Sequence, residues 1–326
     1  MKKRVAVLVL FTLFCCSEHK IQNVKLSGPI FGTGFNIQYY SENNSNYQKQ
    51  IDSLFNVVNQ SLSTYIKDSD ISKLNRNEIS KIDHHFKNVF KASKVIYRQT
   101  EGVFDPTIGN VVNAWNFGAE NNKFLTDSTT IDSLMKHVGF NRVGLVDHEI
   151  KKSKETYLEF NAIAKGYGID VIADFLESKG IKNYIVDIGG DLRVSGSNFE
   201  SKKGWTVGID DPNFDGTQSF SKVVVLKDEA LATSGTYRKF KIDEKGNRYA
   251  HIINTKTGYP TKTNVLSVSV IAADCITADG YATAFQAMGV ENVKTFLNSH
   301  IELKAYFIYE DENKTLQTLT LNDFPE

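Results

Sequence analysis

The chain has 326 residues, 41% of them hydrophobic and 23% charged, with 38 basic residues against 38 acidic and three cysteines. That composition supplies enough apolar side chains for a full core, so disorder, a collagen-like repeat and a disulfide-stapled mini-scaffold are excluded. Zero formal charge leaves no basic face to neutralise phosphates, which argues against nucleic acid as a partner, and Cys15, Cys16 and Cys275 follow no zinc or disulfide spacing.

Residues 1–4 form a basic n-region, and residues 5–14 form an apolar run too short for a bilayer core, which takes roughly 20 residues. The stretch reads as an export signal. Its end, Leu13-Phe14-Cys15-Cys16, resembles a bacterial lipobox: Leu13 at −3, the small Cys15 at −1, and Cys16 as the residue that is lipidated and becomes the new N-terminus. The expected organisation is a signal peptide over residues 1–15, a polar tether over 16–24 and one body over 25–326. The protein is then exported and held on a bacterial membrane by lipid alone, facing the periplasm or the cell exterior. A plain secretory leader with two incidental cysteines is the alternative. Cleavage removes Lys2, Lys3 and Arg4, so the mature chain turns slightly acidic.

A glycine-rich turn at 28–34 precedes Phe35, Ile37 and Tyr39, whose alternation predicts a half-buried strand. Ile51, Leu54, Phe55, Val58 and Leu62 recur at helical spacing, and a second amphipathic helix is expected over 86–100. A third covers 165–179, with Gly180 as its stop. A short apolar strand from Tyr184 ends in the turn Gly189-Gly190-Asp191. Strands are also expected over 205–209, 223–227 and 265–272, and a helix over 278–288. Strands and helices mix without β-α-β alternation, so the class is α+β, with mixed sheets and packed helices.

Asp279 and Thr283 sit four apart near a helix start, which puts two hard oxygens on one face. Such a pair suits Mg²⁺ rather than zinc. An Asp favoured by the helix dipole beside a neutral Thr would look the same. The loop Thr233-Ser234-Gly235-Thr236-Tyr237-Arg238 gathers hydroxyls, a glycine and a guanidinium that suit a pyrophosphate. His251 precedes a Gly/Pro turn ending at Pro260, and is either a structural histidine or a proton acceptor. Walker A, Rossmann and nucleophile-elbow motifs are absent from the sequence.

Taken in order, these segments resemble the FAD:protein FMN transferase family, also called the ApbE or thiamine biosynthesis lipoprotein family. The resemblance runs over about 25–300. It is carried by Phe31-Gly32-Thr33, Ser63-Thr64-Tyr65 with residues 69–75, Gly102-Val103-Phe104-Asp105-Pro106-Thr107, Asn113-Ala114-Trp115 and Phe117-Gly118. It continues through Ala162-Ile163-Ala164-Lys165-Gly166-Tyr167, Gly189-Gly190-Asp191, Ala232-Thr233-Ser234-Gly235, residues 251–254 with 257–260, and Ala278-Asp279 with Ala282-Thr283.

The resemblance implies a T-fold-related α+β body with an FAD cleft between subdomains. It implies a Mg²⁺-dependent enzyme that cleaves FAD and attaches FMN through a phosphoester bond to a Thr of a target flavoprotein, releasing AMP. The metal would be held by the Ala162 carbonyl, Asp279 and Thr283. Lys165, Thr233, Ser234 and Gly235 would hold phosphate oxygens, and His251 would take the acceptor's proton. Flavin and adenosine contacts would fall on Phe31, Tyr65, Asp105, Ala114, Trp115, Asn116, Glu159, Lys165 and Ile253, although Tyr65 and Trp115 also read as core aromatics. Three departures stand out. Glu159-Phe160-Asn161-Ala162 replaces the common Asp-Leu-Gly-Gly, Phe31 stands where Met is frequent, and Gly280 replaces an Ala at about 1 kcal/mol of helix propensity. An FAD pyrophosphatase giving FMN and AMP, or a non-catalytic flavin-binding lipoprotein, are the competing readings.

Overall fold

The alternation at Phe35, Ile37 and Tyr39 is realised in strand β2 (Thr33–Ser41), whose buried residues face the core while Asn36 stays exposed. This computed structural model describes residues 21–120, 127–213, 217, 219–237, 240–242 and 248–326; the leader with Cys16, and Arg238, lie outside them. β2 pairs in an antiparallel hairpin with β1 (Gln22–Ile30). β1 therefore overlaps the segment expected as tether, and Val24 is buried.

Helix α1 (Gln48–Leu62) buries Ile51, Phe55, Val58 and Leu62, as their spacing requires. α2 (Asp70–Asn75) follows, and α3 (His84–Gln99) begins two residues before the expected start because Asp83 caps it, its carboxylate accepting the Phe86 N–H at 2.8 Å. α4 (Gly109–Ala114), α5 (Ser128–Met135) and a ribbon of β3 (Gly144–Val146) with β4 (Glu149–Lys151) lead to α6 (Ala164–Ser178). α6 stops at Gly180, which takes φ +78°.

β5 (Tyr184–Ile188) and β6 (Asp191–Ser195) then form a hairpin through Gly189 and Gly190, both at positive φ. β7 (Trp205–Asp210) pairs with β8 (Phe220–Leu226) as a separate ribbon, β9 (Ala230–Gly235) enters the sheet, and β10 (Phe240–Ile242) pairs with β11 (Arg248–Ala250). β12 (Val265–Ala272), α7 (Cys275–Met288), α8 (Val290–Leu297), β13 (Lys304–Glu310) and β14 (Leu316–Leu321) complete the chain.

Eight strands make the main sheet, in the order β1-β2-β5-β6-β9-β12-β13-β14. Its pairings are all antiparallel, so α+β holds and the main sheet is antiparallel rather than mixed. Helices cover one face: Phe86, Val89 and Phe285 pack with Val268, Val270 and Phe307, and α1 and α6 pack on β2 and β5. The β7–β8 ribbon covers part of the other, where Trp205, Ile209 and Leu226 meet Leu192, Leu231, Ile271 and Ile308.

Two expectations are corrected. Thr233, Ser234 and Gly235 are not a loop but the end of β9, because Ser234 and Gly235 pair with Val268 and Ser267 of β12. Asp279 is not in the first turn of its helix, since Asp274 is the N-cap and accepts the Thr277 N–H at 3.0 Å. The dipole at the helix start therefore does not account for Asp279.

Candidate active site

Gly166 decides how closely α6 approaches α7. A Cβ there would stand 2.2 Å from the Cys275 carbonyl oxygen and 2.8 Å from the Asp279 Cβ, so only glycine allows the contact. The contact lets the Gly166 N–H donate to Asp279 Oδ2 at 2.9 Å. One residue earlier, Lys165 reaches toward the β5–β6 turn, with Nζ 2.8 Å from Asp191 Oδ2. Asp191 is buried, and its Oδ1 accepts the Thr233 N–H at 3.0 Å. Thr233 Oγ1 in turn shares a 2.7 Å hydrogen bond with Ser269 Oγ. The N-terminal turn of α6, the β5–β6 hairpin, the end of β9 and the second turn of α7 are thus fixed to one another around one cleft.

The cleft holds about 400 Å³. Of the residues expected to form a site, Tyr65, Asp105, Glu159, Ala162, Lys165, Thr233, Ser234, Gly235, His251, Ile253, Asp279 and Thr283 all line it. Burial, reinforced by the charge of Asp191, pushes the Asp279 carboxyl up to about 7, against the pull of Lys165 and the Gly166 N–H. Burial works to lower Lys165, but Asp191 and Asp279 together hold its ammonium above the ordinary lysine value. Lys165 therefore stays charged while leaving part of its side chain open to the cleft.

Two lining residues can be described more closely. Asp105 is buried and its carboxylate is already engaged: Oδ1 accepts the Thr107 N–H at 2.8 Å and its hydroxyl at 2.6 Å, and Oδ2 accepts the Phe140 N–H at 3.2 Å. It shapes the cleft wall, and burial still lifts its carboxyl above the usual range. Tyr65 is 60% exposed at the cleft, so its reading as a core aromatic is set aside.

Phe31, Ala114, Trp115 and Asn116 do not line the cleft. The Phe31 ring turns inward, edge-on to Phe55 at 5.7 Å and against Gly168, where a Cβ would come within 2.7 Å of it. Ala114 is buried in α4, and Asn116 follows it at φ +54°. Trp115 is the core residue among the expected aromatics. It is 2% exposed, donates its indole N–H to the Gly258 carbonyl at 2.8 Å, and so ties down the segment that follows His251.

Sequence reasoning passed over Asp191 as a charge partner, along with Thr255 and residues 208–210 of β7, all of which line the cleft. The signal for Asp191 was its place directly after Gly189-Gly190. Its role was hidden because Lys165, the group it orients, lies on another element.

A family model described as the ApbE family matches residues 31–307 of this chain. The FAD:protein FMN transferase of Vibrio cholerae serotype O1 is 35% identical over 300 residues, covering 89% of each chain. That of Haemophilus influenzae is 31% identical, covering 95% of this chain and 92% of its own. Among solved structures, the flavin transferase ApbE from Vibrio cholerae superposes with a TM-score of 0.83 at 32% identity, over 92% of this chain and 97% of its own. The ApbE protein from Thermotoga maritima superposes with a TM-score of 0.77 at 27% identity, over 91% and 96%. With the model spanning most of the body and relatives matched nearly end to end, the chain belongs to the ApbE family.

Proposed function

We propose that this chain is a Mg²⁺-dependent flavin transferase, exported and lipid-anchored through Cys16, that moves the FMN half of FAD onto a Thr hydroxyl of a target flavoprotein and releases AMP. The observation that carries the reading is the convergence of Lys165, the β9 end and the Asp279–Thr283 pair on one cleft.

Attack of the acceptor oxygen on the FMN phosphorus forms one P–O bond and breaks the bond to the AMP phosphate. The protein's part in such a transfer is mostly positioning and charge neutralisation. Lys165, oriented by Asp191, supplies fixed positive charge to the pyrophosphate. Thr233 and Ser234 offer hydroxyls along the same wall, and Tyr65 offers an exposed ring for stacking. His251 at the cleft wall accepts the acceptor's proton.

The residues present fit a hard cation. Two carboxylates, Asp191 and Asp279, face one lysine, so the cleft can take a further positive charge. The donor set of Asp279, Thr283 and the Ala162 carbonyl is all oxygen, as Mg²⁺ prefers. Bound there, Mg²⁺ would neutralise charge on the FAD phosphates.

The test incubates the full chain with FAD, Mg²⁺ and an acceptor flavoprotein carrying the target Thr. A flavin-fluorescent acceptor band in a denaturing gel, lost in Asp279→Ala, is the expected result. Free FMN and AMP without the band would replace transfer by hydrolysis, and unconsumed FAD would leave a flavin-binding protein.

A further inference from the structure

Away from the cleft, Asp83, His84 and His85 stand at the start of α3, each bringing one ligand atom within 4.8 Å of the other two. The His84 and His85 rings lie side by side, their centroids 3.8 Å apart.

We propose that Asp83, His84 and His85 form a second metal site, independent of the cleft, for a divalent transition metal of the zinc type. The donor set of two imidazoles and one carboxylate suits Zn²⁺ and its neighbours and not Mg²⁺, which prefers oxygen.

The surroundings hold the ligands in place. Asp83 Oδ1 carries the helix cap and also accepts the Ser61 hydroxyl at 2.7 Å, so the carboxylate is held in place. His85 is buried, and its Nδ1 lies 2.8 Å from the Tyr167 hydroxyl, to which Asn88 Nδ2 donates at 3.3 Å. An imidazole held at one nitrogen by such a partner offers the other to a metal. His84 is exposed and completes the site from the solvent side. Three protein ligands leave room for water or an external donor.

The full chain, without any histidine tag, is titrated with zinc chloride by calorimetry in excess Mg²⁺, which occupies hard oxygen sites. One zinc equivalent is expected, weakened at least about tenfold in His84→Ala and in Asp83→Asn and retained in Asp279→Ala. His84 is solvent-exposed, so its variant keeps the fold and keeps the test decisive if a His85 variant does not. Zinc should also perturb the His84 and His85 imidazole NMR signals and raise the melting temperature of the wild type but not of His84→Ala. Zinc binding that is unchanged in His84→Ala, or lost only in Asp279→Ala, would overturn the site.

Discussion

At the scale of single residues, one missing Cβ sets up the cleft. Gly166 brings α6 against the Cys275 carbonyl and puts a backbone N–H on Asp279. Gly166→Ala must push backbone, not a flexible side-chain tip, out of the way. Overpacking of this kind costs about 1–3 kcal/mol. The variant should melt several degrees lower and bind Mg²⁺ more weakly by calorimetry, while its zinc affinity holds; wild-type Mg²⁺ affinity would show that the close approach does not set the Asp279 position. Asp279 and Thr283 are legible as an oxygen pair at helical spacing and Thr233 as part of a hydroxyl-rich segment, whereas Lys165 enters only through the family resemblance. Asp191 was legible only as a turn residue. An ion pair between a helix start and a hairpin leaves no spacing to read, and neither does the inward turn of Phe31 or the hydrogen bond that commits Trp115 to the core.

Secondary-structure elements carry the next level of organisation, and Asp170 shows how. It sits on α6, yet it accepts the Cys275 N–H at 2.9 Å and the Ile276 N–H at 2.7 Å at the start of α7, and Arg193 of β6 donates to it at 3.1 Å. One buried carboxylate thus ties two helices to the sheet on the side that supports Asp279. Asp170→Asn keeps the shape but turns an amide NH₂ toward a backbone N–H and leaves one donor unpaired. The loss should be about 1–3 kcal/mol, read as a fall of several degrees in thermal denaturation; an unchanged melting temperature would show that α7 is held by packing alone. The helices α1, α3, α6 and α7 follow from their apolar periodicity. β13 is less legible because it buries Ala305 and Phe307 on the helix side and Tyr306 and Ile308 on the ribbon side, so its apolar run has no period. The end of β9 reads as a polar loop and is held as strand only by its register with β12.

For the whole molecule, the start of β1 at Gln22 changes the expected link to the membrane. Under the proposed anchoring, a tether from Cys16 to Gln22 would span at most about 20 Å. Among the described residues no helix is long and apolar enough to cross a membrane; under the proposed anchoring, the lipid at Cys16 is what attaches the mature chain. A single acyl chain binds membranes only weakly, whereas several chains on one terminal cysteine hold firmly. Cys16→Ser should therefore move the protein from the membrane fraction to the soluble fraction of expressing cells. Mass spectrometry of the wild type should show a lipid-modified N-terminal Cys16. The purified variant should transfer flavin to a soluble acceptor at the wild-type rate, since the cleft is built from α6, α7, the β5–β6 hairpin and β9, none of which involves the tether. Membrane retention of Cys16→Ser, or an unmodified Cys16 in the wild type, would place the attachment elsewhere.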